Sequence, residues 1–334
     1  MDWKSVLKAD PTEWLLEEDN PSVRYLTLTE ILERPETDQT VKYAKSRIME
    51  TGSVPAILEK QNKGGFWDDP EKFYTAKYRG SVWQLMILAE LGADGDDSRV
   101  KKACEFILER SQDPESGGFS IKTGRKTEGG LPSMVIPCLT GNMVWSLIRL
   151  GYMDDPRVRK GIGWITEYVR FDDSDTSPPK GWKYEKMSAC YGKHSCHMGV
   201  VKPLKALAEI PHDKRSKAVD NTIDEGVEFI LKHHVHKRSH DLARESKAGW
   251  RKFGFPLMYQ TDILEILLIL TSLGIRDDRM RDAYQILLDD QGDDGKWTLR
   301  NSYNGKVQVN IEEKGKHSKW ITLNSLRVLK GYHG

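Results

Sequence analysis

Three of the four cysteines in this 334-residue chain stand where they can do chemistry. Cys190 and Cys196 share the run Cys190-Tyr-Gly-Lys-His194-Ser-Cys196-His197-Met-Gly199, and Cys138 stands in Pro137-Cys138-Leu-Thr-Gly-Asn142. Thiolates and imidazoles are the usual ligands of zinc, and a helix N-terminus favours the negative thiolate. Cys138, Cys190 and Cys196 are therefore candidate metal ligands, with His197, His194 or His240 available as the fourth. Two competing readings stay open, reduced-thiol chemistry and plain packing, because free cysteine is also a common small core residue. Cys104 falls on the apolar face of an amphipathic stretch and is assigned to packing. His233, His234 and His236 read as a solvated helix end, where imidazolium suits the dipole.

Such residues can meet only if the chain brings them to one place, and the spacing of apolar residues says how. An apolar stretch ending in Leu-x-x-Leu-Gly recurs at Gly92, Gly151 and Gly274, with weaker copies at Pro211 and Gly331 and a first copy ending near Arg34. Successive copies lie about 57 to 63 residues apart. Gly or Pro just past a helix stops it. Acidic turns at Asp96, Asp154 and Asp277 then open amphipathic helices, where Asp caps free N–H groups. The first set of helices is apolar around most of its circumference and the second on one face only. Alternating inner and outer helices of this kind predict a closed all-α barrel in one domain, residues 1–334, with residues 3–18 as an N-terminal helix closing the ring beside the last inner helix. Longer insertions fall at 171–189 and 235–256, flanking the cysteine segment as a possible lid.

In a barrel of this kind the inner helices run in parallel, so their N-terminal ends share one rim. Cys138 and Cys196 occupy nearly equivalent places there. Arg24, Arg79, Asn142, Tyr259, Asp262, Lys319 and Trp320 all fall within the first turn or so of an inner helix, which makes them candidate substrate-binding residues. The expected partner is a small molecule or peptide held in the mouth of the ring.

Balance and composition exclude other classes. With 51 Lys and Arg against 50 Asp and Glu, the chain is not a domain built to neutralise phosphates, so no nucleic acid is expected. Its longest apolar run, 263–273, carries Glu265 and is too short to span a bilayer. The N-terminal layout lacks a secretory signal, and a cytoplasmic location is expected. Four cysteines do not make a disulfide scaffold.

The outer helices end in Gln61-Asn-Lys-Gly-Gly65-Phe-Trp67, Gln112-Asp-Pro-Glu-Ser-Gly117-Gly-Phe119 and Gln291-Gly-Asp-Asp-Gly295-Lys-Trp297, with degenerate copies at Gly181-Trp182 and Gly249-Trp250. This element resembles the glutamine–tryptophan repeat of the terpenoid cyclases, squalene cyclase type, and of protein prenyltransferase β subunits. The resemblance covers essentially the whole chain and implies an (α/α)6 toroid of six inner and about six outer helices. The family's chemistry carries over less well. The acidic run Asp172-Asp173-Ser174-Asp175-Thr176 is not the Asp-x-Asp-Asp acid of class II cyclases, and reads as a solvated loop. Nor does the Asp-x-Cys pair of the prenyltransferases occur. Cys190-Tyr-Gly and Cys196-His-Met-Gly locally resemble the zinc motifs of lanthionine cyclases, but their spacing differs. The expectation is a zinc-dependent transferase, lyase or cyclase-type toroid acting on a hydrophobic or thiol-containing substrate. The alternative is a non-catalytic ligand-binding or scaffold protein, its metal structural or absent.

Overall fold

A computed structural model describes residues 2–124, 128–173, 184, 188–192 and 194–334. Its helices fall into two alternating sets, and the periodicities above explain why. The inner set comprises α1 (Pro21–Leu26, continued by a wider turn over Thr27–Ile31), α3 (Ser81–Glu90), α5 (Pro137–Arg149), α7 (His197–Ala208), α9 (Ile263–Ser272) and α11 (Lys319–His333). Between them lie the outer helices α2 (Gln39–Glu50), α4 (Ser98–Arg110), α6 (Pro156–Tyr168), α8 (Lys217–Lys232) and α10 (Arg281–Asp289). Each inner helix from α3 to α11 packs on the next, α11 packs on α1, and each outer helix packs on the inner helix before it. The chain is an all-α toroid.

Local chemistry sets the helix ends. Gly92, Gly151 and Gly274 take φ of +70°, +88° and +74° directly after α3, α5 and α9, the left-handed stop that an L side chain resists. Asp97, Asp155 and Asp277 each accept a backbone N–H two residues on, at 2.8 Å. One close approach needs glycine for a different reason. A Cβ on Gly141 in α5 would lie 2.3 Å from the Pro203 backbone nitrogen in α7. The two helices therefore touch backbone to backbone.

The Gln-and-aromatic turns weld neighbouring units. Gln61 Nε2 donates to the Arg99 carbonyl at 2.9 Å, and Gln112 Nε2 to the Arg157 carbonyl at 2.7 Å, so each turn holds the start of the next outer helix. At the third copy that place is filled by the N-terminal segment: the Lys8 N–H donates to Gln291 Oε1 at 2.9 Å, and a Cβ on Gly295 would strike the Ala9 carbonyl. The segment is not the helix expected over 3–18. It forms two short turns, Trp3–Val6 and Thr12–Leu15, separated by Asp10 and Pro11. Proline lacks an N–H and disfavours helical geometry in the residue before it, so no helix runs through this point.

The insertion at 235–256 carries a hairpin, β1 (Lys237–Arg238) with β2 (Asp241–Glu245), followed by a buried stretch containing Trp250, Phe253 and Phe255. The hairpin leans on the outer layer, where Lys237 pairs with Asp282 of α10. The stretch from Trp250 packs across the end of the ring. Most of the 171–189 insertion, with Ser174–Thr176 and the degenerate Gly181-Trp182 copy, lies outside the described residues. Among the described residues no helix is long and apolar enough to cross a membrane.

Candidate functional site

At the rim formed by the N-terminal ends of the inner helices, aromatic rings fill the axis. Tyr78 lies 4.0 Å from Tyr303 between ring centroids, and Tyr74 lies 5.0 Å from Trp83. Phe255 stacks on Trp320 at 4.3 Å with planes 6° apart. The Lys77 ammonium sits 4.4 Å over Tyr259 and 5.0 Å over Tyr74. A plug of packed rings, tilted in the first two pairs and stacked in the third, closes this end.

Most of the substrate-binding candidates are tied up in that closure. Arg24 pairs with Glu18 at 2.6 Å, and Arg79 bridges Asp68 and Gln308. Asn142 is buried against the Met258 carbonyl, and Lys319 is buried between Glu17 and Asp19. Tyr259 and Trp320 belong to the aromatic plug. Only Asp262 among the seven lines the axial cavity described below. It caps α9, accepting from the Glu265 and Gly254 N–H groups at 2.9 Å each. Burial outweighs those bonds and pushes its carboxyl up to about 7.

The three cysteines are neighbours but do not form the expected ligand set. Burial pushes the Cys138 thiol up to about 12, with Cys190 and Cys196 close enough to add to the shift. Cys190 is likewise pushed up to about 11, by burial and then by Cys196. With no metal bound, burial therefore favours the protonated form of both thiols. Among the described residues, the donor atoms of three or more His, Cys, Asp or Glu side chains that gather within 4.8 Å belong to Asp173, His194 and His240. Of Cys138, Cys190, Cys196, His197 and His240, His240 alone is in that group. His197 packs instead on His233, with ring centroids 4.3 Å apart, and burial holds its pKa down to about 3.

Two expectations are overturned here. Asp173 is not part of a solvated loop; it is 3% exposed. The chain after α6 folds back along the segment before α7, with the Ser195 N–H donating to the Asp172 carbonyl at 2.8 Å and Asp173 bridged to His194. Burial alone would raise the Asp173 carboxyl, but the Ser239 hydroxyl, then Lys232 and His233, hold it low. His233 and His236, read as a wet helix end, are each 1% exposed. The cause is a sharp reversal after α8, where His234 and Val235 take φ of +42° and +69° and tuck the helix end inward. A β-branched residue at positive φ is strained, so surrounding contacts must enforce it.

The cavity lies toward the opposite end. It has a volume of about 720 Å³ and runs from Phe255 and Asp262 along the axis to the C-terminal ends of the inner helices. Apolar side chains such as Leu26, Leu264 and Leu268 alternate there with ion pairs. Lys202, 1% exposed, meets Glu265 at 2.7 and 2.6 Å. Lys205 reaches Glu265 at 3.3 Å, also pairs with Glu90, and lies 3.8 Å over the ring of Trp145. Nearer the mouth, Glu209 takes Arg149 at 3.1 Å and the Trp145 N–H at 3.2 Å. Burial opposes the charges on Lys202, Lys205, Glu265 and Arg149. On Glu265 the two ammoniums prevail and hold the carboxyl low, whereas on Lys202 burial prevails and lowers the ammonium. A volume in the usual range for small-molecule sites, about 300–1,000 Å³, with convergent polar groups on an apolar wall, is the arrangement of a ligand pocket.

No protein-family model matches the chain, and no curated protein sequence matches it. Solved structures do. The apo type II terpene cyclase MstE from Scytonema is 14% identical, with 93% of this chain and 87% of that chain covered at a TM-score of 0.41. A variant of the same cyclase in complex with geranylgeranyl dihydroxybenzoate is 14% identical, covering 94% and 87% of the two chains at 0.40. A family 76 glycoside hydrolase from a bovine Bacteroides thetaiotaomicron strain is 14% identical, covering 94% and 68% at 0.45. These similarities concern the course of the chain and assign no activity.

Proposed function

We propose that this protein binds a small amphiphilic molecule in the axial cavity, its apolar body along Leu26, Leu264 and Leu268 and its polar head among the ion pairs near Trp145. One observation carries this reading: the wall of an open cavity of about 720 Å³ includes the buried Glu265 carboxylate, paired with Lys202 and Lys205, and these side chains neither end a helix nor close a turn. Ion pairs taken out of water rarely add net stability, so a binding role accounts for them better than a packing role. Dansyl-aminoundecanoic acid, an amphiphile that reports its surroundings by fluorescence, tests the reading. Saturable binding of one equivalent, abolished by Ser272→Trp at the cavity mouth while the melting temperature is kept, is the expected result. No binding, or binding indifferent to Ser272→Trp, would overturn it.

A second reading, zinc-assisted chemistry on a thiol-containing or hydrophobic substrate, is favoured by the grouping of Asp173, His194 and His240 close to the segment that carries Cys190 and Cys196. Both readings take residues 1–334 as one toroid domain in the cytoplasm. Four free cysteines support that location.

A further inference from the structure

We infer that Asp173, His194, His240 and His233 are the ligands of a zinc ion that ties the hairpin β1–β2 and the loop after α6 to the segment leading into α7. This takes up the Asp/His group named in the second reading but gives it a structural ion in place of a catalytic one, and it is independent of the axial cavity.

Three imidazoles converge on a single oxygen. His194 Nδ1 lies 3.1 Å from Asp173 Oδ1, while His233 Nε2 and His240 Nε2 each lie 3.5 Å from that same atom. Lys232 takes the other oxygen, Oδ2, at 3.2 Å. Charged hydrogen bonds between imidazolium and carboxylate are shorter, about 2.7–2.9 Å. The separations match a different geometry. Four ligands at the usual zinc bond lengths of about 2.0–2.2 Å, placed tetrahedrally, stand about 3.3–3.6 Å from one another. The three distances to Asp173 Oδ1 match three edges of such a sphere; Asp173, His194 and His240 already bring their donor atoms within 4.8 Å of one another, and a bound ion would draw in His233 as the fourth.

His233 supplies an independent argument. Its Nδ1 lies 2.8 Å from the Phe229 carbonyl oxygen. A carbonyl can only accept, so Nδ1 carries the proton, and in the neutral ring Nε2 presents a lone pair toward Asp173. Either the ring is charged and Nε2 also donates to Asp173, or it is neutral and a cation must lie between the lone pair and the carboxylate, and the separation of 3.5 Å is long for the first. A histidine whose far nitrogen donates to a backbone carbonyl is also how metal-bound imidazoles are oriented. Lys232 on Oδ2 would leave Oδ1 to bind the metal as a single-oxygen ligand.

The donor set selects the metal. Three imidazoles and one carboxylate suit zinc, whereas calcium and magnesium prefer all-oxygen cages. Four protein ligands make the site structural, and their placement shows what it would hold. Asp173 follows α6, His194 precedes α7, His233 ends α8 and His240 stands in the hairpin turn. His194 and His240 close the solvent side, with side chains 54% and 55% exposed, and Asp173 and His233 the buried side. The strained reversal at His234 and Val235 lies between the last two ligands in the chain, His233 and His240, where a bound ion would help to hold it.

Metal analysis of the full chain, stripped with chelator and reloaded with zinc alone, tests the site. The expected content is about one zinc per chain, falling to near zero in His240→Ala and in His233→Ala and unchanged in Cys138→Ser and Cys196→Ser. His240→Ala is the informative variant, because an exposed hairpin residue can be changed without unfolding the toroid. Cobalt loading gives a second readout: an Asp/His site shows visible absorption without the near-ultraviolet sulfur-to-metal band that a thiolate ligand produces. Zinc that survives His240→Ala but is lost in the cysteine variants, a sulfur band in the cobalt protein, or no retained zinc in the parent chain would each overturn the proposal. Dansyl-aminoundecanoic acid should bind His240→Ala as it binds the parent, so failure of this site and failure of the axial reading are separable.

Discussion

At the N-terminal ends of the inner helices, side chains satisfy one another; at the C-terminal ends they face a cavity. The first region is a plug, with Tyr78 on Tyr303 and Phe255 on Trp320, and with Arg24, Arg79 and Lys319 paired to local acids. The second leaves Lys205, Glu265, Arg149 and Glu209 along an open wall. Both ends carry the same kinds of residue, so composition does not separate them. The difference comes from what the connecting segments do: those before α3, α9 and α11 bring aromatics over the axis, while Gly92, Gly151 and Gly274 end their helices abruptly and leave the other end uncovered. Position near a helix start is therefore a poor guide to which side chains meet a ligand.

The sharpest test of the contrast is Glu265→Leu, which strands the buried Lys202 ammonium and should cost about 3–5 kcal/mol in urea unfolding. Adding Lys202→Met should restore most of that loss while weakening dansyl-aminoundecanoic acid binding. If the double variant stays as unstable as the single one, the charges serve the fold and the contrast between the two ends fails.

Asp262 sharpens the comparison through pH. Its carboxyl is raised to about 7 by burial, against an ordinary value of 3.8, so between these limits the folded chain keeps a proton that the unfolded chain has released. Its contribution is complete below the unfolded value and is lost as pH rises through the folded one, a span of at most about 4 kcal/mol. Urea midpoints measured from pH 4 to 8 should fall with pH in the parent and fall less in Asp262→Asn. Parallel profiles would show that Asp262 is ionised in the fold.

Gly141→Ala addresses the closed end. The added methyl would meet the Pro203 backbone and push α5 from α7, with an expected loss of about 1–3 kcal/mol by thermal unfolding. Axial binding should survive, because neither Gly141 nor Pro203 lines the cavity. Loss of binding at unchanged stability would mean that the two ends are coupled.

The repeat was legible because its rules are local. A Gly that stops a helix, an Asp that caps the next and a Gln that reaches the following unit all act within a few residues or one repeat, so spacing alone reveals them. The charged cavity left a fainter trace: Glu265 in an otherwise apolar run, and Lys202 and Lys205 in Val-Val-Lys-Pro-Leu-Lys-Ala-Leu. Helical spacing placed these charges on an inner element and could not say that they pair across it.

What the sequence determined by itself is the toroid, since burial of an all-round apolar helix requires an outer partner, and six inner helices alternating with five outer ones, the N-terminal turns taking the sixth outer place, close on themselves. It also marked a rim rich in cysteine and histidine. Tertiary structure alone decided which of those residues converge. Asp173 looked solvated because its neighbours in sequence are polar, and it is buried because the chain after α6 returns along the segment before α7. His233 and His240 share its oxygen only because a strained turn and a hairpin bring them back to the same point. Those contacts join residues 20 to 70 positions apart in different connections, and no local spacing rule specifies them.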